Sequence, residues 1–122
     1  MGSHVLLIDD EPNIVEAIRF ILTRAGFSVS AHFNGADALA VIAKTKPDLL
    51  ILDLMLPGRS GFDILHDLRA DPATADLPVL MLTAKGQPRD RDMAERLGAS
   101  RFLSKPFANA EILAAVQDMV AR

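Results

Sequence analysis

The chain has 122 residues, 50% of them hydrophobic and 24% charged, and its 13 Lys and Arg stand against 16 Asp and Glu for a net charge of −3. That length sustains one domain with one real core. The near-balanced charge, the lack of Cys, Trp and Tyr and the mere 6 Phe exclude a basic arm for nucleic acid, a base-stacking platform, disulfides and thiol chemistry in this chain.

Short apolar runs alternate with segments of helical spacing. Val5-Leu6-Leu7-Ile8 has no polar face and reads as a strand covered on both sides, β1 (5–8). Ile14, Ile18, Ile21 and Leu22 recur at i, i+4, i+7 and i+8 and place α1 over 12–25, with Pro12 in its first turn and Gly26 at its end. Weaker signals give β2 (27–31) and α2 (36–44). Leu49-Leu50-Ile51-Leu52 gives β3 (49–52), and α3 (62–69) stops at Asp71-Pro72. Val79-Leu80-Met81-Leu82 gives β4 (79–82); Pro47 and Pro78 sit just before β3 and β4, where a missing N–H costs little. Then come α4 (90–97), closed by Gly98, β5 (101–103), and α5 (109–121) with Ile112, Val116, Met119 and Val120 on one face. No apolar run approaches the roughly 20 residues of a membrane helix. Acidic residues at Asp9, Asp10 and Glu11 argue against a signal peptide. Residues 1–3 read as a candidate cloning remnant, and the domain as residues 4–121.

Strict alternation implies an α/β fold: a single-domain (βα)5 doubly wound parallel sheet with helices on both faces. Such sheets bind ligands beyond the carboxyl ends of their strands, and the polar residues fall there. β1 runs into Asp9-Asp10, β3 into Asp53, β4 into Thr83, and β5 into Ser104-Lys105. Three carboxylates at one edge repel each other, and a hard divalent cation, Mg²⁺ or Mn²⁺, resolves the repulsion. A cation, a Lys and a hydroxyl together suit a phosphoryl group. No Gly-rich phosphate loop follows β1, so a nucleotide is not the obvious ligand. The remaining nucleophile is the carboxylate of Asp53, which would attack phosphorus and become an acyl phosphate.

In these features the chain resembles the receiver domain of bacterial two-component response regulators and is similar to the chemotaxis receivers. The resemblance rests on Val5-Leu6-Leu7-Ile8-Asp9-Asp10-Glu11, on Pro47 through Gly58 around Asp53, on Leu82-Thr83-Ala84, and on Lys105-Pro106-Phe107. It implies a flavodoxin-like sheet of strand order 2-1-3-4-5. It implies Asp53 as phosphoacceptor, Asp10 as a direct Mg²⁺ ligand, Asp9 acting mostly through water, and the Met55 backbone carbonyl as a further ligand. Thr83 would hydrogen-bond the phosphoryl group, and Lys105 would pair with Asp53 before phosphorylation and with the phosphate after it. The Lys105–Pro106 bond is expected to be cis. Phe102 falls at the family's switch aromatic, and its swing toward Thr83 would reshape the α4–β5–α5 surface for a partner. Met55 and Lys85 would flank the path of hydrolytic water and tune phosphate lifetime.

The implied donor is a phosphohistidine on a sensor histidine kinase or a histidine phosphotransfer protein, with small acyl phosphates as substitutes. The chain would catalyse only its own phosphorylation and dephosphorylation. It would work in the bacterial cytoplasm as a monomer or weak dimer, without direct nucleic-acid or membrane binding. Within α4, Met93, Ala94 and Leu97 are the expected apolar contacts amid Arg89, Asp90, Arg91, Asp92, Glu95 and Arg96, a thin stripe that suits a mobile helix. His4, His32 and His66 show no ligand spacing. Because no linker follows α5, the chain reads as a stand-alone receiver rather than a piece of a longer regulator. Other readings are a phosphorylation-independent receiver-like binding module, a haloacid-dehalogenase-type aspartyl-phosphate hydrolase and a small flavin or nucleotide carrier. The second lacks the Asp expected two residues after Asp53, the third lacks a phosphate loop, and the first requires a broken acidic, Thr or Lys position that is not seen.

Overall fold

A computed structural model describes residues 3–84 and 88–121. Its elements run β1 (His4–Ile8), α1 (Pro12–Arg24), β2 (Ser28–His32), α2 (Ala38–Thr45), β3 (Leu49–Asp53), α3 (Gly61–Ala70), β4 (Val79–Thr83), α4 (Pro88–Leu97), β5 (Arg101–Ser104) and α5 (Asn109–Val120). The strands form one parallel sheet in the order β2-β1-β3-β4-β5, the expected topology. No helix among the described residues is long and apolar enough to cross a membrane.

The unbroken apolar runs follow from two covered faces. Alternate strand residues point to opposite sides of a sheet. Leu6, Ile8, Leu50, Leu52, Val79, Met81 and Phe102 pack with Ile42 of α2, Ile64, Leu65 and Leu68 of α3, and Ala94 of α4. Val5, Leu7, Leu49, Ile51, Leu80 and Leu82 pack with Val15, Ile18 and Leu22 of α1 and Ile112, Val116 and Met119 of α5. Complete burial of a Leu or Ile side chain contributes about 1.5–3 kcal/mol, so the central strands hold both helical layers.

Register places the strand ends in line. Ile8 lies beside Leu52, Asp53 beside Leu82 and Thr83 beside Ser104. Asp9, Asp53, Thr83 and Lys105 therefore reach the carboxyl edge within a residue of one another. Gly26, at φ +98°, closes α1: its N–H donates to Thr23 O at 3.1 Å and the Phe27 N–H donates to Leu22 O at 3.0 Å, a turn that needs a left-handed residue.

Some boundaries differ from the sequence reading. α2 begins at Ala38, not at 36, because Asn34 Oδ1 accepts from the Ala36 N–H at 2.6 Å and bends the preceding loop into a turn. α4 begins at Pro88, and Ala94 is its buried residue. Met93 is 41% exposed and is not the core contact expected of it. His4 belongs to β1: its ring lies 2.9 Å from the Ser28 and Ser30 hydroxyls.

Candidate functional site

Asp9 leaves β1 fully buried and anchored, its backbone N–H donating to His32 O at 3.1 Å. Its Oδ1 accepts from the Glu11 N–H at 2.9 Å. Its buried Oδ2 receives no well-aligned hydrogen bond among the described residues, although the Lys105 ammonium is 2.9 Å away. Asp10 is exposed beside it.

Asp53 ends β3 and is 2% exposed. The Met55 N–H approaches its Oδ1 at 3.4 Å and Lys105 Nζ at 3.5 Å. Burial pushes its pKa from 3.8 up to about 6, the Asp9 charge adds to the rise and Asp10 adds slightly, while Lys105 and the Met55 N–H oppose it. The loop after β3 is held close by Gly61. Its N–H donates to Leu54 O at 2.9 Å, and a Cβ there would stand 2.5 Å from the Asp53 carbonyl oxygen.

Lys105 follows β5, its backbone N–H donating to Thr83 O at 2.7 Å, and the Lys105–Pro106 peptide is cis as expected. The Lys105 side chain is 8% exposed, and its ammonium sits 2.9 Å from both Asp9 Oδ2 and Glu11 Oε1, nearer to these than to Asp53. The expected resting pair with Asp53 is present at 3.5 Å, and two shorter contacts, to Asp9 and Glu11, accompany it. Burial acts to lower the Lys105 pKa, but Asp9, Glu11 and Asp53 raise it overall, so the group stays charged.

Thr83 is buried at the end of β4. It lines a cleft of about 390 Å³ with Leu54, Met55, Ser60, Phe62, Ala84 and Asp90. The Met55 side chain is exposed at the rim of this cleft. Phe102 lies inward, packed in the core beneath α4, with the Arg91 guanidinium 5.5 Å from its ring centre. Lys85 lies outside the described residues.

One oxygen from each of Asp9, Asp10 and Asp53 can be chosen so that all three lie within 4.8 Å of one another. With three clustered carboxylates and the raised Asp53 pKa, this donor set fits a hard divalent cation such as Mg²⁺. The fold thus joins Asp9, Asp10, Asp53 and Lys105, and sets Thr83 at the adjoining strand end. Sequence reasoning gave Glu11 no part in this site. The available signal was its place directly after the acidic pair, at the same sheet edge as the Lys that follows β5.

Comparison with known proteins agrees with this arrangement. A family model described as "Response regulator receiver domain" matches residues 5–117. The Pseudomonas aeruginosa phosphate regulon transcriptional regulatory protein PhoB is 38% identical over 122 residues, which are 100% of this chain and 53% of PhoB. The Synechocystis DNA-binding dual master transcriptional regulator RpaA is 42% identical over 118 residues, covering 97% of this chain and 49% of RpaA. The chain therefore spans about half the length of these curated relatives. The receiver domain of a Pseudomonas aeruginosa sensor histidine kinase, solved with a magnesium ion in its active-site cleft, superposes with a TM-score of 0.90 at 26% identity and 100% coverage of both chains.

Proposed function

The chain belongs to the response regulator receiver domain family, and from that premise we propose that Asp53 accepts a phosphoryl group in a Mg²⁺-dependent reaction. The observation carrying this reading is a buried carboxylate at a strand end, with two further carboxylates and a Lys ammonium around it.

In the proposed step, an Asp53 carboxylate oxygen attacks phosphorus while the donor's bond to phosphorus breaks. The electron pair leaves with the imidazole of a phosphohistidine, which then takes a proton, or with the carboxylate of an acyl phosphate, which needs none. The product is an acyl phosphate on Asp53. Asp9, Asp10, Asp53 and the Met55 carbonyl would hold Mg²⁺, which supplies charge neutralisation for phosphoryl oxygens. The Thr83 hydroxyl donates to one phosphoryl oxygen, and Lys105 supplies a cation to another. Burial of Asp53 limits the access of bulk water to the attacking oxygen.

The donor is a histidine kinase or a histidine phosphotransfer protein. The response is a two-state change in which Thr83 moves toward the phosphate and Phe102 follows, reshaping the α4–β5–α5 face for an effector. The scarce burial of α4, resting on Ala94, supports such a shift. Met55 at the rim supports its assignment to phosphate lifetime, and Lys85 is proposed for the same role on its sequence position alone. Incubation with acetyl phosphate and Mg²⁺ should add one phosphoryl group, about 80 Da, by intact mass. Asp53→Asn should abolish it, and labelling that survives this change would refute the assignment.

A further inference from the structure

Lys105 faces three carboxylates, and its well-aligned hydrogen bond goes to the residue that needs it least for burial. Asp9 is fully buried and requires a nearby cation. Glu11 is 54% exposed, and water could solvate it. Yet Lys105 Nζ donates to Glu11 Oε1 at 2.9 Å, as close as it stands to Asp9 Oδ2, while Asp53 Oδ1 lies at 3.5 Å.

Glu11 does not cap its own helix, because α1 has no side-chain cap. The contrast with α5 is direct: Glu111 turns back to accept from the Ala108 N–H at 2.8 Å. Glu11 is also fixed by its main chain, which donates to Asp9 Oδ1 at 2.9 Å. Its carboxylate is thus held beside the acidic pocket and directed at the ammonium of Lys105.

Resting on the Asp53 reading, we propose that Glu11 is a positioning residue that, together with Asp9, detains the Lys105 ammonium away from Asp53 and thereby slows its engagement with an incoming phosphoryl group. A phosphoryl group arriving on Asp53 brings new anionic oxygens that compete with Glu11 for one ammonium. Charge-assisted hydrogen bonds are roughly twice as strong as neutral ones. Glu11→Gln keeps the reach and an acceptor oxygen but drops the charge, so one of the two short contacts that hold Lys105 is weakened while the other, to Asp9 Oδ2 at 2.9 Å, remains.

The test is the rate of acyl-phosphate formation from acetyl phosphate and Mg²⁺, with acetate leaving, followed by intact mass in a double-mutant cycle. Glu11→Gln should raise the rate about three- to fivefold, in keeping with a half-exposed charged pair. In a Lys105→Met background, slow as it will be, the same change should alter the rate less than about twofold. An equal rise in both backgrounds would show that Glu11 acts by general repulsion of the donor, and would overturn the proposal. So would a Glu11→Gln rate at or below that of the parent chain. A parent chain that takes no label at all would overturn the Asp53 reading and this inference with it, which separates the two failures.

Discussion

Replacing Asp53 with Asn should make the protein more stable at neutral pH, although it removes the residue on which the proposed function depends. In the folded state the Asp53 pKa rises from 3.8 to about 6, through burial first and Asp9 second. At about 1.36 kcal/mol per pKa unit, that rise sets a ceiling of ~3 kcal/mol for the cost of holding the charge. Water and ions reaching the cleft past the exposed Asp10 reduce it, so the expected gain is ~1–2 kcal/mol. Little of this is lost through Lys105, which keeps its shorter contacts to Asp9 and Glu11. The pH window follows from the sign of the shift. Because the folded pKa exceeds the unfolded one, the parent chain keeps the full contribution of this proton below pH 3.8 and loses it as pH rises through about 6. The gain from Asp53→Asn should therefore be only about a fifth of its full size near pH 4 and complete above pH ~7. Urea unfolding followed by far-UV circular dichroism, in chelator, at both pH values measures it directly. An Asp53→Asn variant less stable than the parent at pH ~7.5, or a gain equal at both pH values, would refute this electrostatic account of the site.

Three further outcomes follow from the same geometry. Lys105→Met strands the fully buried Asp9, so urea unfolding in chelator should show a loss of ~2–4 kcal/mol; because the Lys105 pKa is raised in the folded state, that loss should stay level until strongly alkaline pH and shrink when Mg²⁺ is added. Gly61→Ala puts a Cβ 2.5 Å from the Asp53 carbonyl oxygen, so it should cost ~2–4 kcal/mol in the same assay and weaken the thermal shift caused by Mg²⁺. Millimolar Mg²⁺ should raise the thermal midpoint of the parent chain, and Asp10→Ala should remove most of that rise while changing metal-free stability by less than ~1 kcal/mol, since Asp10 is exposed; differential scanning calorimetry reads both.

What the sequence made legible was whatever depends on periodicity along one segment. Leu49 through Leu52 could be read as a doubly covered strand because a run with no polar face has only that use in a short alternating chain, and both layers of helices are indeed found on it. The edge was legible for the same reason: parallel strands in common register deliver their next polar residues to one place, and Asp9, Asp53, Thr83 and Lys105 follow directly. What escaped is set by side chains meeting across the fold. The turn made by Asn34 at Ala36 moved the start of α2, and helical periodicity carries no trace of such a turn. The outward placement of Met93 depends on the rotation of α4, which a helix with one buried residue barely fixes. The choice of Lys105 among Asp9, Glu11 and Asp53 spans 94 residues of sequence in its Glu11 contact. It is decided by differences of a few tenths of an ångström, which composition and spacing cannot encode. If Asp53 accepts a phosphoryl group as proposed, a cation shared among three carboxylates has a nearby route to the new anionic oxygens, whereas a Lys bound to a single partner would have to give that partner up.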